Sequence, residues 1–238
     1  REGGCSGCVE VGAFGKEAYI LTGYFNLAKM LELALHDGRD PRAGAQLGPR
    51  TGDPAGFQTF DDLVRAWEAQ TRHFLDLKIA GNQVIERMYA TRMPAPFLSV
   101  LTDDCIRTGK DYNAGGARYN NVFIQAVGIG SLTDSFAALR ELVFERRDLA
   151  LPDLVAALDA DFAGQEALRQ RLLNKLPKYG NDDDRADDLM VRAFRFLFEA
   201  IDGRPSAKGG TYRLEMLPTT CHVYFGEVCG ATPDGRKA

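Results

Sequence analysis

Cys8 and Glu10 stand two residues apart in Gly7-Cys8-Val9-Glu10. In an extended loop, residues i and i+2 face the same side, so this thiol and this carboxylate can address one substrate. The thiol offers a one-electron or nucleophilic centre, and the carboxylate can move a proton. A nucleophilic cysteine is usually activated by histidine, and His36, His73 and His222 are all distant in sequence. A packed thiol beside a solvated acid is the competing reading of these two residues alone.

Other clusters carry weaker signals. Cys5-Ser6-Gly7-Cys8 has the two-residue spacing of dithiol and zinc motifs, but Cys221 and Cys229 do not repeat it. Gly115-Gly116-Ala117-Arg118-Tyr119-Asn120 lacks the Lys-Ser/Thr of a phosphate loop and reads as a tight turn before a strand. Asn181-Asp182-Asp183-Asp184 lacks the ligand alternation and glycine of a calcium loop. Acidic residues opening a helix at its positive end fit it better. Leu217-Pro218-Thr219-Thr220-Cys221-His222 reads as a strand boundary.

The 238 residues are 45% apolar and 26% charged, enough for one ordinary core or two small ones. A net charge of −4 gives no electrostatic footprint for nucleic acid. No apolar run is long enough for a membrane helix, and nothing at the start resembles a signal peptide. Five cysteines without an export signal favour free thiols. The expectation is a soluble cytoplasmic protein. The chain opens on Arg1-Glu2-Gly3-Gly4 and ends in Thr232-Pro233-Asp234-Gly235-Arg236, which suggests a segment of something longer.

The elements that must position these residues follow from periodicity. Asn26 can cap a helix carrying Leu27, Met30, Leu31, Ala34 and Leu35, closed by Gly38. Residues 38–58 read as an irregular connection. Thr59-Phe60-Asp61-Asp62 resembles a capping box before a long helix that ends ahead of Pro94, with Gly81 as a bend or a point of close packing. Val122 to Val127 is short, β-branched and bounded by glycine, hence a strand. Helices are expected over 133–144, 152–160, 165–174 and 184–201. Tyr212 to Met216 and His222-Val223-Tyr224 read as short extended segments. The class is α/β, mostly helical around a few buried strands.

Four stretches together resemble the glycyl radical enzymes related to pyruvate formate-lyase. They are Gly7-Cys8-Val9-Glu10, Gly115 to Asn120, Lys178-Tyr179-Gly180-Asn181-Asp182-Asp183 and Thr232 to Arg236, in the family's order. The resemblance implies part of a ten-stranded α/β barrel, with residues 1–238 a central portion that begins at the cysteine loop. It implies that Cys8 becomes a thiyl radical that takes hydrogen from substrate carbon, and that Glu10 serves as acid and base. Cysteine followed by valine and glutamate is similar to the eliminating and decarboxylating members. The stretches Phe14 to Tyr19, Thr22-Gly23-Tyr24 and Met216 to Thr220 are most similar to the branch that dehydrates trans-4-hydroxy-L-proline to 1-pyrroline-5-carboxylate. Tyr24 and Thr219 then match substrate-pocket positions.

The family's radical glycine, in an Arg-Val-x-Gly-Tyr pattern, does not occur in these residues. By resemblance no cofactor is bound directly. The radical glycine lies outside this chain and is installed by an activating enzyme that uses S-adenosylmethionine and an iron–sulfur cluster. A homodimer is the family's habit, with neither nucleic acid nor membrane as partner. Two other readings stay open: an eliminase or decarboxylase acting on a diol, choline, a sulfonate or an arylacetate, and a non-catalytic relative without the radical.

Overall fold

The computed structural model describes residues 3–6, 10–217 and 221–238, and gives residues 6, 10, 20 and 21 by their backbone alone. In chain order, the elements begin with β1 (Gly3–Ser6), β2 (Glu10–Ala13), β3 (Ile20–Asn26) and α1 (Leu27–Ala34). A two-residue pair follows, β4 (Arg39–Asp40) and β5 (Ala45–Gln46), then the long α2 (Phe60–Arg92), α3 (Pro96–Val100) and α4 (Cys105–Thr108). After β6 (Val122–Val127) come α5 (Ile129–Ala138), α6 (Leu151–Asp159), α7 (Glu166–Asn174) and α8 (Asp184–Ile201). β7 (Tyr212–Met216) and α9 (His222–Glu227) complete the described elements. The chain divides into two compact units, the first made of Arg1–Phe25, Leu75–Ala126 and Leu197–Leu217 and the second of the remainder.

The first unit is built on a three-stranded sheet in the order β3-β6-β7. Every residue of β6 is buried, which explains why its sequence is apolar throughout except for Gln125, rather than alternating. β6 and β7 pair in parallel from Val122 opposite Tyr212 to Ala126 opposite Met216. Parallel strands need a long crossover, and α5 to α8 lie between them in the chain. The Thr22 hydroxyl donates to the Phe123 carbonyl at 2.9 Å, and Lys78 donates to the Thr22 carbonyl at 2.8 Å. Burial lowers the Lys78 pKa. At the start of β7, the Tyr212 hydroxyl donates to the buried Glu86 carboxylate at 2.7 Å, which also accepts from the Ala207 N–H at 2.7 Å. Burial, and then the Glu86 carboxylate, push the Tyr212 phenol well above its usual value.

The second unit gathers around Trp67, which is fully buried. Its ring meets Phe136 edge-on at 5.3 Å and Phe196 at 5.3 Å, while Phe60 meets Phe136 edge-on at 5.7 Å. Asn26 does cap α1, accepting from the Lys29 N–H at 3.2 Å. The Lys29 ammonium binds Glu32 and Asp40. Thr59 and Asp62 form the reciprocal cap of α2, with Asp62 accepting from the Thr59 N–H and Thr59 accepting from the Asp62 N–H.

Three expectations are corrected. The helix read as 133–144 starts at Ile129, straight after left-handed Gly128, and continues from Leu139 to Glu145 as a π-helix. Thr133 and Asp134 mimic a cap, but Thr133 is buried and the Asp134 carboxylate serves the Tyr179 N–H at 2.8 Å. His222 to Tyr224 is helical rather than extended, because the Cys221 carbonyl accepts from the Phe225 N–H at 3.0 Å and closes a turn. A short aromatic and β-branched run does not distinguish the two states by pattern. Gly81 lies inside the continuous α2 and does not serve close packing, since a Cβ there would meet nothing within 4 Å.

Tyr212→Phe removes one of two hydrogen bonds from a buried carboxylate. It is expected to destabilise the fold by about 1–3 kcal/mol. Urea denaturation of the full-length protein measures this, and an unchanged midpoint would contradict the Tyr212–Glu86 assignment.

Candidate active site

β1 and β2 form an antiparallel pair with Gly3 opposite Ala13, Gly4 opposite Gly12, Cys5 opposite Val11 and Ser6 opposite Glu10. Glu10 therefore opens β2, while Cys8 and Thr219 lie outside the described residues. Tyr24 lies on β3 and is half-buried. Cys5 is exposed on β1.

The far end of this hairpin, away from residues 7–9 in sequence, is gripped in detail. After β2 the chain turns through Phe14, Gly15 and Lys16, and Gly15 takes φ +70°. The Lys16 and Glu17 N–H groups both donate to the Ala13 carbonyl at 3.0 Å. The Glu17 side chain folds back: its Oε2 accepts from the Ala13 N–H at 3.1 Å and its Oε1 from Asn121 Nδ2 at 3.0 Å. Asn121 Oδ1 in turn accepts from the Thr211 hydroxyl at 3.3 Å. Glu17 is only 7% exposed.

The glycines of the hairpin follow from this base. A Cβ on Gly12 would stand 2.2 Å from Glu17 Oε2 and 2.9 Å from Tyr19 Cε1. One on Gly4 would stand 2.4 Å from the Phe14 ring. Burial, followed by the neighbouring Glu17 and Cys5 charges, raises the Tyr19 phenol pKa. An open groove of about 450 Å³ runs beside the hairpin, lined by Val11, Glu17, Asn121, Phe123 and residues 213–216 of β7.

The stretch Gly115 to Asn120 locks onto the same base. Ala18 N–H donates to the Tyr119 carbonyl at 2.9 Å, and Tyr119 N–H donates to the Lys16 carbonyl at 3.0 Å. Its two glycines answer to close backbone approach, since a Cβ would lie 2.4 Å from the Lys208 carbonyl at Gly115 and 2.1 Å from the Lys110 carbonyl at Gly116. Arg118 binds Asp103 and Asp104, and its hydrogen bonds together with those of Arg107 hold the Asp104 carboxyl down at about 2. Asp103 also donates its N–H to the Gly15 carbonyl at 2.7 Å.

In the second unit the other two stretches meet on α5. Asp234 accepts from the Ser131 hydroxyl at 2.6 Å and from the Thr232 hydroxyl at 2.5 Å, and its carbonyl accepts from Lys178 at 3.2 Å. Lys178 also lies 3.6 Å from Asp134, the residue that receives the Tyr179 N–H. The acidic run after Tyr179 opens α8, with Asp183 accepting from the Arg185 N–H at 3.1 Å. No group of three or more His, Cys, Asp or Glu side chains able to hold a metal occurs among the described residues.

A family model described as pyruvate formate lyase-like matches residues 1–226. The chain belongs to the pyruvate formate lyase-like family. It is 52% identical over 236 residues to trans-4-hydroxy-L-proline dehydratase of Clostridioides difficile, covering 99% of this chain and 30% of that protein. It is 36% identical to the probable dehydratase YbiW of Escherichia coli, covering 98% of this chain and 30% of that protein. Among solved structures, the Clostridioides difficile hydroxyproline dehydratase with trans-4-hydroxy-L-proline bound aligns at a TM-score of 0.97 over 99% of this chain and 30% of that one. The glycerol-bound B12-independent glycerol dehydratase of Clostridium butyricum aligns at 0.94, with 34% identity, over 100% of this chain and 30% of that one. The chain thus spans about 30% of the length of these relatives, and its α/β architecture is that of part of their fold.

Within this family segment, Glu17 and Asn121 escaped sequence reasoning. The signal was present in Gly12 followed five residues later by a carboxylate across a glycine turn, but nothing in spacing alone names Asn121 as the distant partner. Gly12→Ala must displace Glu17 and is expected to raise amide hydrogen exchange across residues 3–13 at least about tenfold, the ratio that corresponds to 1.4 kcal/mol. Exchange equal to that of the wild type would contradict the packing of Gly12 on Glu17.

Proposed function

We propose that the full-length protein is a glycyl radical carbon–oxygen lyase that dehydrates trans-4-hydroxy-L-proline to 1-pyrroline-5-carboxylate. The observation that carries this reading is 52% identity to a protein of that name across 99% of this chain. The reading also draws on the Cys8-Val9-Glu10 sequence, which falls at the junction of β1 and β2 in the chain; the other end of that strand pair is fixed by side-chain and backbone hydrogen bonds.

Cys8, as a thiyl radical, takes a hydrogen atom from the carbon next to the one bearing the hydroxyl, so that an S–H bond forms as a C–H bond breaks. Glu10 delivers a proton to the departing hydroxyl, which leaves as water, and takes back the proton that the ring nitrogen loses as the C=N bond forms. The product radical then recovers a hydrogen atom from Cys8, regenerating the thiyl. Tyr24 packs its ring on the pyrrolidine, and Thr219 binds the carboxylate or amine of the substrate. A glycine elsewhere in the full-length protein stores the radical. An activating enzyme with S-adenosylmethionine and an iron–sulfur cluster installs it, in a cytoplasmic homodimer. No described helix is long and apolar enough to cross a membrane.

In an anaerobic assay of the activated full-length protein, trans-4-hydroxy-L-proline is expected to yield pyrroline-5-carboxylate, and Cys8→Ser to abolish it. Tyr24→Ala is expected to raise KM about tenfold or more, the loss of about 1.4 kcal/mol of binding. A radical-bearing protein that makes no product from this substrate contradicts the proposal. Turnover of a diol or a sulfonate by that same sample would support the rival eliminase reading.

A further inference from the structure

Glu17 is a buried carboxylate that the proposed chemistry does not use. Its two oxygens accept from two different elements: the Ala13 N–H at the end of β2, and Asn121 Nδ2 just ahead of β6. Both neighbours are donors. A carboxylate answers both, whereas an amide has a single acceptor oxygen. The orientation of Asn121 is set by its own oxygen, which accepts from the Thr211 hydroxyl beside the start of β7. The result is a chain of hydrogen bonds from the base of the hairpin to the two parallel strands of the sheet. Gly12 rests directly on the same carboxylate, with no room for a Cβ.

We infer that Glu17 is a positioning residue, a clamp that fixes the β1–β2 pair, between whose strands Cys8 falls in sequence and whose second strand begins at Glu10, against the starts of β6 and β7 through Ala13 and Asn121. The inference rests on the proposed catalytic reading of that hairpin. Ala13 is three residues from Glu10 along β2, about 10 Å of strand. A small rotation at the base is therefore magnified where the acid and the thiol must meet substrate. Misplacement by about 1 Å can cost about a hundredfold in rate.

The hydrogen-bond polarity supplies its own test. In Glu17→Gln, one of the two donors loses its acceptor. Asn121→Asp alone sets two carboxylates against each other. In the double variant the new amide at position 17 can accept from the Ala13 N–H and donate to the new carboxylate at position 121. That carboxylate still accepts from the Thr211 hydroxyl. For the activated full-length protein, Glu17→Gln is expected to lower kcat about 10–100-fold with KM within about twofold and the glycyl radical signal unchanged. The double variant is expected to recover most of kcat. Wild-type kcat in folded Glu17→Gln, or a double variant no better than either single one, overturns the clamp.

Amide exchange over residues 3–13 is read on the same proteins without substrate. Faster exchange in Glu17→Gln that the double variant reverses supports the clamp, and unchanged exchange overturns it. This arm separates the two failures: wild-type protein that carries the radical but does not dehydrate hydroxyproline refutes the proposed function, and the exchange data still judge Glu17. If Glu17→Gln does not fold, the double variant decides alone, with near-wild-type exchange expected and loss of protection contradicting the clamp.

Discussion

A two-stranded hairpin of four-residue strands is marginal in water, because it has too few pairs to offset the entropy of ordering them. β1 and β2 are such a hairpin. What holds it is the grip on its open end: the Glu17 carboxylate on Ala13 and Asn121, and the Lys16–Tyr119–Ala18 ladder beside it. A buried carboxylate is costly unless its oxygens are satisfied, and here each oxygen has a donor. The grip then couples the hairpin to the parallel strands β6 and β7. Gly4 and Gly12 follow as consequences, since the Phe14 ring and the Glu17 carboxylate occupy the space their side chains would need.

The four family stretches divide into two structural pairs. Gly115 to Asn120 braces the base of the hairpin, and its glycines permit backbone contact with Lys110 and Lys208. Lys178 to Asp183 and Thr232 to Arg236 converge on the first turns of α5 through Asp134, Ser131 and Asp234. Three of the four therefore make structural contacts in this segment. Their polar residues serve backbone N–H groups and one another, in keeping with the tight-turn and helix-opening readings of their sequence.

Much of this was legible in the sequence where one physical cause dominates. The Asn26 and Thr59 caps, the fully buried β6 run and the span of α8 follow from local hydrogen bonding and apolar pattern. The failures arise where tertiary contacts take over. Thr133 and Asp134 look like a helix start, yet one is buried in the core and the other serves Tyr179. The run beginning at His222 has strand composition but closes a helical turn. At the site, Cys8 and Glu10 are read from adjacency and family pattern alone, and Cys8 lies outside the described residues. The partner of Glu17 was not, because Asn121 is 104 residues away and only the fold brings it near.

The central claim is that a hairpin clamped by Glu17 presents Cys8 and Glu10 to a pyrrolidine substrate held by Tyr24. The most direct test is an anaerobic crystal structure of the full-length protein, radical not installed, with trans-4-hydroxy-L-proline bound. The account predicts the ring against Tyr24, a ring carbon about 3.5 Å from the Cys8 sulfur, and Glu17 still bonded to Ala13 and Asn121. Substrate bound away from Cys8, or Glu17 released from either partner, would contradict it.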